Sequence, residues 1–380
     1  MNPSKRIVLM TWPTLEMIQG WRSFVEASGV RWQFEFQRPH DKMLHQLEQN
    51  PPDGVIAYLG TEFYADWISQ QPFPAVNHSS ALPTSPIPRV CVDDLQAGIV
   101  AAEHFIGYGH RYLAYIGHEA PWFSHRRWQG VCTAAQQEGL EVEACWIREP
   151  LTPASRQRNA RSDQKILKFL RSLPEPCGVF VCNDPLGLRV LELAQEAGRS
   201  VPDSIAVLGM DNDPLGQLAF PPLSSVVPPL ERIAYQSAHL LYTLMQGEPA
   251  LEHEHLLAPV RVDTRQSTDA VAVQDQALAK ALKYLRAHFR EGVTVEDLAR
   301  AGGVNRRTLE HRFRTYLNRS PSREIKRMRI EHAKMLLLQS DLNLEQISLA
   351  SGFQDVPWFM TVFRKETGMT PRTFRMPRNT

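Results

Sequence analysis

The chain has 380 residues, with 42 Lys and Arg against 41 Asp and Glu, a formal net charge of +1. At roughly 100–200 residues per domain that length allows two or three domains, and a hydrophobic content of 43% with 22% charged residues is that of an ordinary soluble protein; no apolar run reaches the roughly 18–20 residues of a membrane helix. The near-neutral total hides an asymmetry: residues 274–380 hold 20 basic and 11 acidic side chains, whereas residues 1–273 hold 22 and 30, so a basic piece of domain size follows an acidic body, a distribution that points to a polyanionic partner.

In chain order, the first apolar run, Ile7–Met10, is too brief for the core of a secretion signal. The five cysteines (Cys91, Cys132, Cys145, Cys177, Cys182) are odd in number, and several sit within apolar runs. Reduced thiols in a cytoplasmic protein are therefore expected. Their spacing matches no zinc site, and neither a metal nor a cofactor is expected.

Apolar runs recur at Gly54–Leu59, Ala75–His78, Arg89–Val92, Tyr112–Gly117, Gly178–Cys182 and Ile205–Met210. They do not alternate polar with apolar, so they read as strands buried on both faces. Helical periodicity fills the gaps, for example over Leu95–Ile106, Arg126–Glu138 and Leu186–Ala197. Alternating strands and helices imply parallel sheets in two linked α/β lobes. Gly107, Gly109, Gly139 and Gly198 follow helical patterns, as left-handed caps do. Pro83–Pro88 and Pro221–Pro229 read as loops or crossings.

Ligands of open α/β sheets bind beyond the strand C-termini. Polar residues collect there: Asp93-Asp94, Arg126-Arg127 at the opening of the next helix, Asn183-Asp184 and Asp211-Asn212-Asp213. Carboxylates, an amide and a guanidinium suit a polyhydroxylated ligand, with Trp12, Trp122 or Phe123 stacking on a sugar face. Asp94 and Asn183 suit a helix cap equally. The sensor is assigned to 1–262, a polar junction to 263–274, and an all-α domain to 275–380.

Inside the all-α domain, a pair of segments shares one layout, Thr294–Phe313 and Asn343–Phe363. Each opens on a capping residue, Thr294 or Asn343, answered three positions later by Asp297 or Gln346. Each then has a short helix ending at glycine, Gly302 or Gly352, and a second helix anchored by Leu309/Phe313 or Phe359/Phe363. This is the pattern of a helix-turn-helix, with the far face of the second helix free to enter a major groove. In the first unit that face carries Arg306, Arg307, Glu310 and His311, flanked by Arg314, and Asn305 is its N-cap. Arginine reads guanine with both arms of its fork. Arg319, Arg323, Lys326, Arg327 and Arg329 are expected to extend the basic surface toward phosphate.

Residues 274–378 resemble the AraC/XylS-type DNA-binding domain. The resemblance rests on Ile347, Ala350, Gly352-Phe353, Phe359, Val362-Phe363-Arg364-Lys365, Gly368-Met-Thr-Pro371 and Phe374-Arg375. It implies base contacts by Arg307, Glu310 and His311 in the first helix, and by Val356, Pro357, Met360 and Thr361 in the second. Val356, Pro357 and Met360 offer apolar contact with few hydrogen bonds, so the first helix is expected to dominate readout. Arg364 and Lys365 are expected on phosphate.

Residues 6–268 resemble the periplasmic-binding-protein-like sensor of LacI/GalR regulators. The matching residues are Val92-Asp93-Asp94, Gly98, His104-Phe105, Gly109-His110-Arg111, Ala114–Gly117, Arg127-Trp-Gln-Gly130, Asn183-Asp184, Val207–Asp211 and Pro222–Val226. This resemblance implies ligand contacts by Asp93, Arg127, Asn183 and Asp211; Asn212 and Trp12 complete the candidate set. The order of the sensor and the helical domain resembles that of the bacterial xylose-operon regulators, supported by Arg265-Gln-Ser-Thr-Asp269 and the Asp211-Asn212 pair. It implies a sugar effector, xylose or a related one, operator DNA with two half-sites, RNA polymerase as a partner, activation of transcription and a homodimer. One departure concerns the sugar: after Gly54–Leu59 that family has an acidic pair, where this chain reads Gly60-Thr61-Glu62.

An enzyme is not expected, because no nucleophile elbow, phosphate loop or Cys–His pair is found. Glu252-His-Glu-His255 reads as a solvated edge. A sugar-binding protein without regulatory function is the other alternative, and the basic tail argues against it.

Overall fold

The computed structural model describes residues 4–38, 41–148, 160–269, 275–317, 319–340 and 342–375. The first lobe contains β1 (Lys5–Met10), α1 (Leu15–Ser28), β2 (Trp32–Phe36), α2 (Asp41–Gln49), β3 (Gly54–Ala57), α3 (Glu62–Ser69), β4 (Ala75–Asn77) and β5 (Arg89–Val92). The second contains α4 (Asp94–Gly107), β6 (Tyr112–His118), α5 (Trp122–Gln137), β7 (Val142–Ile147), α6 (Ala160–Ser172), β8 (Cys177–Val181), α7 (Asp184–Glu196), β9 (Ile205–Met210), α8 (Pro214–Leu218) and β10 (Ser224–Val227). The chain then returns as α9 (Leu230–Met245) and β11 (Glu254–Leu257) to the first lobe, and as β12 (Arg261–Asp263) to the second. The sheet orders are β11-β5-β4-β3-β1-β2 and β12-β10-β9-β8-β6-β7. All pairings are parallel except β10 with β12.

β1 shows why its sequence does not alternate. Ile7 and Leu9 pack under α1 and α9, while Val8 and Met10 pack under α2 and α3, so both strand faces are buried. All seven predicted apolar runs are strands. β2, β7, β10, β11 and β12 escaped that reading. Four of them are edge strands, half solvated and mixed in polarity. β10 corrects the loop expected over Pro221–Pro229. Its buried Ser224 and Ser225 find hydrogen-bond partners elsewhere in the fold, which no local pattern reveals. α5 begins at Trp122, so Arg127 lies in its second turn and not at its opening. Gly109, Gly139 and Gly198 have positive φ, whereas Gly107 belongs to the last turn of α4.

α4 and α5 meet through two glycines. A Cβ on Gly98 would lie 1.9 Å from the Arg127 carbonyl oxygen, and one on Gly130 would lie 2.0 Å from that of Leu95. The helix backbones therefore touch, which fixes Arg127 relative to the start of α4.

The helical domain comprises α10 (Gln276–His288), α11 (Val295–Gly302), α12 (Arg306–Leu317), α13 (Pro321–Gln339), α14 (Leu344–Ala350), α15 (Val356–Thr367) and α16 (Pro371–Arg375). It has two cores that share α13. Ile325 packs with Leu298, Leu309 and Phe313; Ile330, Ala333 and Leu337 pack with Ile347, Phe359 and Phe363. Among the described residues no helix is long and apolar enough to cross a membrane. The expected junction is partly ordered sensor: Asp263 ends β12, and Gln266–Thr268 form a 3-10 turn. Residues 270–274 lie outside the described residues.

Candidate ligand cleft and nucleic-acid interface

The segments that follow the strand C-termini of the two lobes meet. The Trp122 amide, after β6, donates to the Ala81 carbonyl, after β4, at 2.7 Å. Ser80 of the first lobe donates to Asp94 at the start of α4. Between these contacts lies Arg127, 5% exposed. Its Nε donates to Asp94 Oδ1 at 2.7 Å, its Nη1 to the Cys182 carbonyl, and its Nη2 is 3.9 Å from Asp211 Oδ1. The Phe123 ring lies 4.7 Å from the guanidinium carbon. Burial pushes the Asp94 carboxyl upward, and Arg127 opposes that rise.

The predicted ligand residues divide. Asp93 caps α4, accepting from the Gln96 amide at 3.0 Å, and the adjacent Asp94 is the partner of Arg127. Asn183 caps α7, accepting from the Leu186 amide at 3.1 Å. Asp184 is buried and accepts from Ser225 Oγ at 2.9 Å and the Asp213 amide at 2.7 Å. Burial, reinforced by the Asp211 charge, raises it to about 8. Asp211 and Asn212 have φ of 107° and 57°, rare for residues other than glycine. Asp211 is raised to about 6 by burial against the pull of Arg127. Its side chain keeps 47% of its surface open to the cleft, which tempers that rise. Asn212 Oδ1 accepts from Arg265 Nη2 at 2.5 Å.

Trp12 is 56% exposed and meets Tyr58 edge to face at 6.3 Å. Tyr58 lies within electrostatic range of Asp211, Arg127 and Asp94. His78 packs against Tyr58 at 6.1 Å, and burial lowers it to about 4. Its Nε2 has no hydrogen-bond partner among the described residues. Tyr58 and His78 extend the aromatic contacts of Trp12 at the first-lobe strand ends but were not singled out from the sequence. The rule that exposed Asp211 would have found them, since each follows directly on a strand C-terminus.

Both helix-turn-helix units form. The Thr294/Asp297 and Asn343/Gln346 capping boxes are closed in both directions. In the first unit α11 ends at Gly302, as expected, where a Cβ would meet the Ala277 carbonyl at 2.7 Å, and Gly303 takes the left-handed cap at φ 67°. Asn305 accepts from the Thr308 amide at 2.8 Å. Arg306, Arg307, Glu310, His311 and Arg314 together line one surface groove. Arg306 ties α12 to α11 through Glu296 at 2.5 Å and also holds Glu310 at 2.8 Å. On α15, Pro357, Met360, Thr361, Arg364 and Lys365 are exposed, and Val356 is half-buried. Thr361 donates its hydroxyl to the Pro357 carbonyl.

The expected basic stripe is divided between two tasks. Arg319 donates to the Ile106 carbonyl at 2.8 Å, and Arg286 to that of Gly107 at 3.3 Å. Both cations sit on the C-terminal carbonyls of α4, where the helix dipole favours positive charge. Arg319 and Arg327 also flank buried Glu324 at 3.0 and 2.7 Å. Arg329 donates to the carbonyls of Phe289 and Val293. These three arginines are therefore occupied within the protein, while Arg323 stays exposed and Lys326 half-buried over the Trp358 ring. Beside this contact, a cavity of about 620 Å³ opens between α4 and the helical domain, lined by Asp93, Glu103, Arg286 and Lys334 among others.

Residues 102–268 match the family model of a periplasmic binding protein-like domain, and residues 298–376 that of a helix-turn-helix domain. The xylose operon regulatory protein of Haemophilus influenzae is 25% identical over 368 residues, 95% of this chain and 94% of that protein. Catabolite control protein A of Priestia megaterium is 30% identical over 235 residues, 60% of this chain and 69% of that protein. Among solved structures, the xylose-binding transcription activator xylR superposes with a TM-score of 0.63 at 23% identity, covering 100% of both chains.

Proposed function

Because the chain belongs to the AraC-type transcription regulators in which a LacI-type periplasmic-binding-protein-like domain precedes the helix-turn-helix domain, we propose that it activates a carbohydrate-catabolic operon in response to a neutral sugar, xylose or a close relative. It is a sugar-responsive DNA-binding regulator and not an enzyme. In this reading it acts in the cytoplasm as a homodimer on two half-sites and recruits RNA polymerase.

The observation that carries the proposal is the placement of α4. Its N-terminus supplies Asp94 to the cleft, and its C-terminal carbonyls hold Arg319 and Arg286 of the DNA-binding domain. One rigid helix thus touches both the ligand site and the domain that reads DNA. The adjoining cavity leaves room for the two domains to repack when the lobes close. A ligand regulates by binding the two arrangements with different affinity.

The charge of the cleft argues for a neutral ligand. Asp94 and Asp211 lie against Arg127, whose fork is already engaged by Asp94 and the Cys182 carbonyl. Carboxylates accept from vicinal hydroxyls, and Trp12 offers a stacking face. A sugar acid would meet like charge. The Asp93 and Asn183 side chains cap helices at the cleft edge.

A thermal-shift panel of pentoses, hexoses and uronic acids tests the ligand class, because a ligand selective for the native state raises its melting temperature. Neutral sugars should stabilise and uronic acids should not. Operator titrations with and without the stabilising sugar test regulation. The proposal fails if sugar leaves operator affinity, half-site spacing preference and polymerase recruitment all unchanged.

A further inference from the structure

The strained turn at the end of β9 is held from an unexpected direction. Asp211, which faces the cleft, and Asn212 both have positive φ. Asn212 is fixed through its amide, which donates to Ser225 Oγ at 2.9 Å, and through Oδ1, which accepts from Arg265. Arg265 belongs to the segment that leaves the sensor for the DNA-binding domain.

Arg265 is anchored at several points. Its Nη1 donates to the Leu223 carbonyl at 2.6 Å, its amide donates to Ser224 Oγ at 2.8 Å, and its carbonyl accepts from that hydroxyl at 3.0 Å. The 3-10 turn that follows is equally tied. Ser267 Oγ donates to the Val207 carbonyl at 2.6 Å. Thr268 Oγ1 lies 2.7 Å from Ser224 Oγ and 2.9 Å from His104 Nε2 of α4. His104 packs on Tyr108 with ring centroids 4.6 Å apart, and the Arg286 guanidinium of α10 covers the other ring. A continuous set of contacts thus runs from the Asp211–Asn212 turn through Arg265 and Thr268 to α4 and onto α10.

We propose that Arg265 is the positioning residue that couples the ligand turn to the DNA-binding domain. A ligand bound by Asp211 shifts the turn, the fork of Arg265 carries that shift into the Gln266–Thr268 turn, and Thr268 passes it to α4. The strained backbone suits this task, because a conformation held by its surroundings changes when one of those contacts changes. The inference rests on the proposed sugar-responsive regulation.

The test uses the full chain, a duplex selected in vitro from a random pool, and D-xylose together with the neutral sugar giving the largest thermal shift. Sugar affinity and operator affinity are measured for the wild type, Arg265→Ala, Arg265→Lys and Thr268→Val. The readout is the ratio of operator Kd without and with saturating sugar. Allosteric ratios are about 5–150-fold. Thr268→Val and Arg265→Ala should bind sugar and operator separately within about threefold of wild type, yet their ratio should fall toward one. Arg265→Lys, which cannot hold Leu223 and Asn212 with one fork, should fall between. A wild-type ratio in Thr268→Val and in any folded Arg265 variant overturns the coupling role. So does loss of sugar binding in Thr268→Val. If the wild type itself responds to no sugar in the panel, the regulatory reading fails, and the coupling role with it.

Discussion

Arg127 and Asp94 form an ion pair in which both side chains are almost fully buried, at 6% and 3% exposure. Removing one member of such a pair strands the other, at a cost of about 3–5 kcal/mol. For a sensor of this size each kcal/mol moves Tm by about 2–4 °C, so Arg127→Ala should melt roughly 6–20 °C below wild type at pH 7. The two single variants should differ with pH. In Arg127→Ala the stranded Asp94 loses the guanidinium that opposed its upward shift, so its folded pKa rises further above the unfolded value. The folded variant then binds more protons than the unfolded chain, and its stability increases as pH falls. Its deficit against wild type should narrow from pH 7 to pH 5. Asp94→Ala strands a guanidinium that cannot lose its proton, so its deficit should not narrow. Differential scanning calorimetry or urea unfolding at pH 5, 6 and 7 measures both. Deficits below about 1 kcal/mol, or identical pH profiles for the two variants, would refute the view of a desolvated pair at the centre of the cleft.

The Gly98–Gly130 contact supports the same pair from outside. Gly98→Ala places a methyl 1.9 Å from a backbone oxygen, so it should destabilise by at least the roughly 1–3 kcal/mol of overpacking and weaken sugar binding, both readable by thermal shift. Asp184 adds a pH dependence that holds in the wild type. Its folded value of about 8 exceeds the 3.8 of the free group, so its contribution is present below about 4 and declines as pH rises through 8. Asp184→Asn should flatten the fall of Tm across that window. At the DNA surface, Arg307→Ala should relax discrimination at one base position by about 1–3 kcal/mol in operator-variant titrations. Lys365→Ala should weaken all operators alike and reduce the salt slope by about one.

Much of the DNA-binding domain was legible because its signals are local. A capping box spans four residues, and Thr294/Asp297 and Asn343/Gln346 sit where the helices start. The anchors Leu309 and Phe313 lie one turn apart, so their burial fixes the exposed face that carries Arg307 and His311. The basic residues of α13 were harder. Their charge was plain, but whether Arg319 and Arg327 face phosphate or α4 depends on a domain more than two hundred residues earlier in the chain.

The cleft shows the same division. The sequence placed a cluster of acids and an arginine at strand ends, and that much follows from strand polarity. The resemblance pointed to Asp93, but which of two neighbouring carboxylates meets Arg127 depends on how the helix start docks. Gly98 and Gly130 bring α5 against α4 so that Arg127 meets Asp94, leaving Asp93 to cap the helix. Likewise, nothing near Arg265 announces Asn212 as its partner, 53 residues away. Periodicity, capping and charge segregation depend on residues within a turn or two, so the chain by itself determined seven apolar strands, its helix-turn-helix pair and the split between an acidic sensor and a basic reader. Which polar groups face a ligand, and which arginines face the protein instead of DNA, depended on desolvation by distant segments and was decided by tertiary packing.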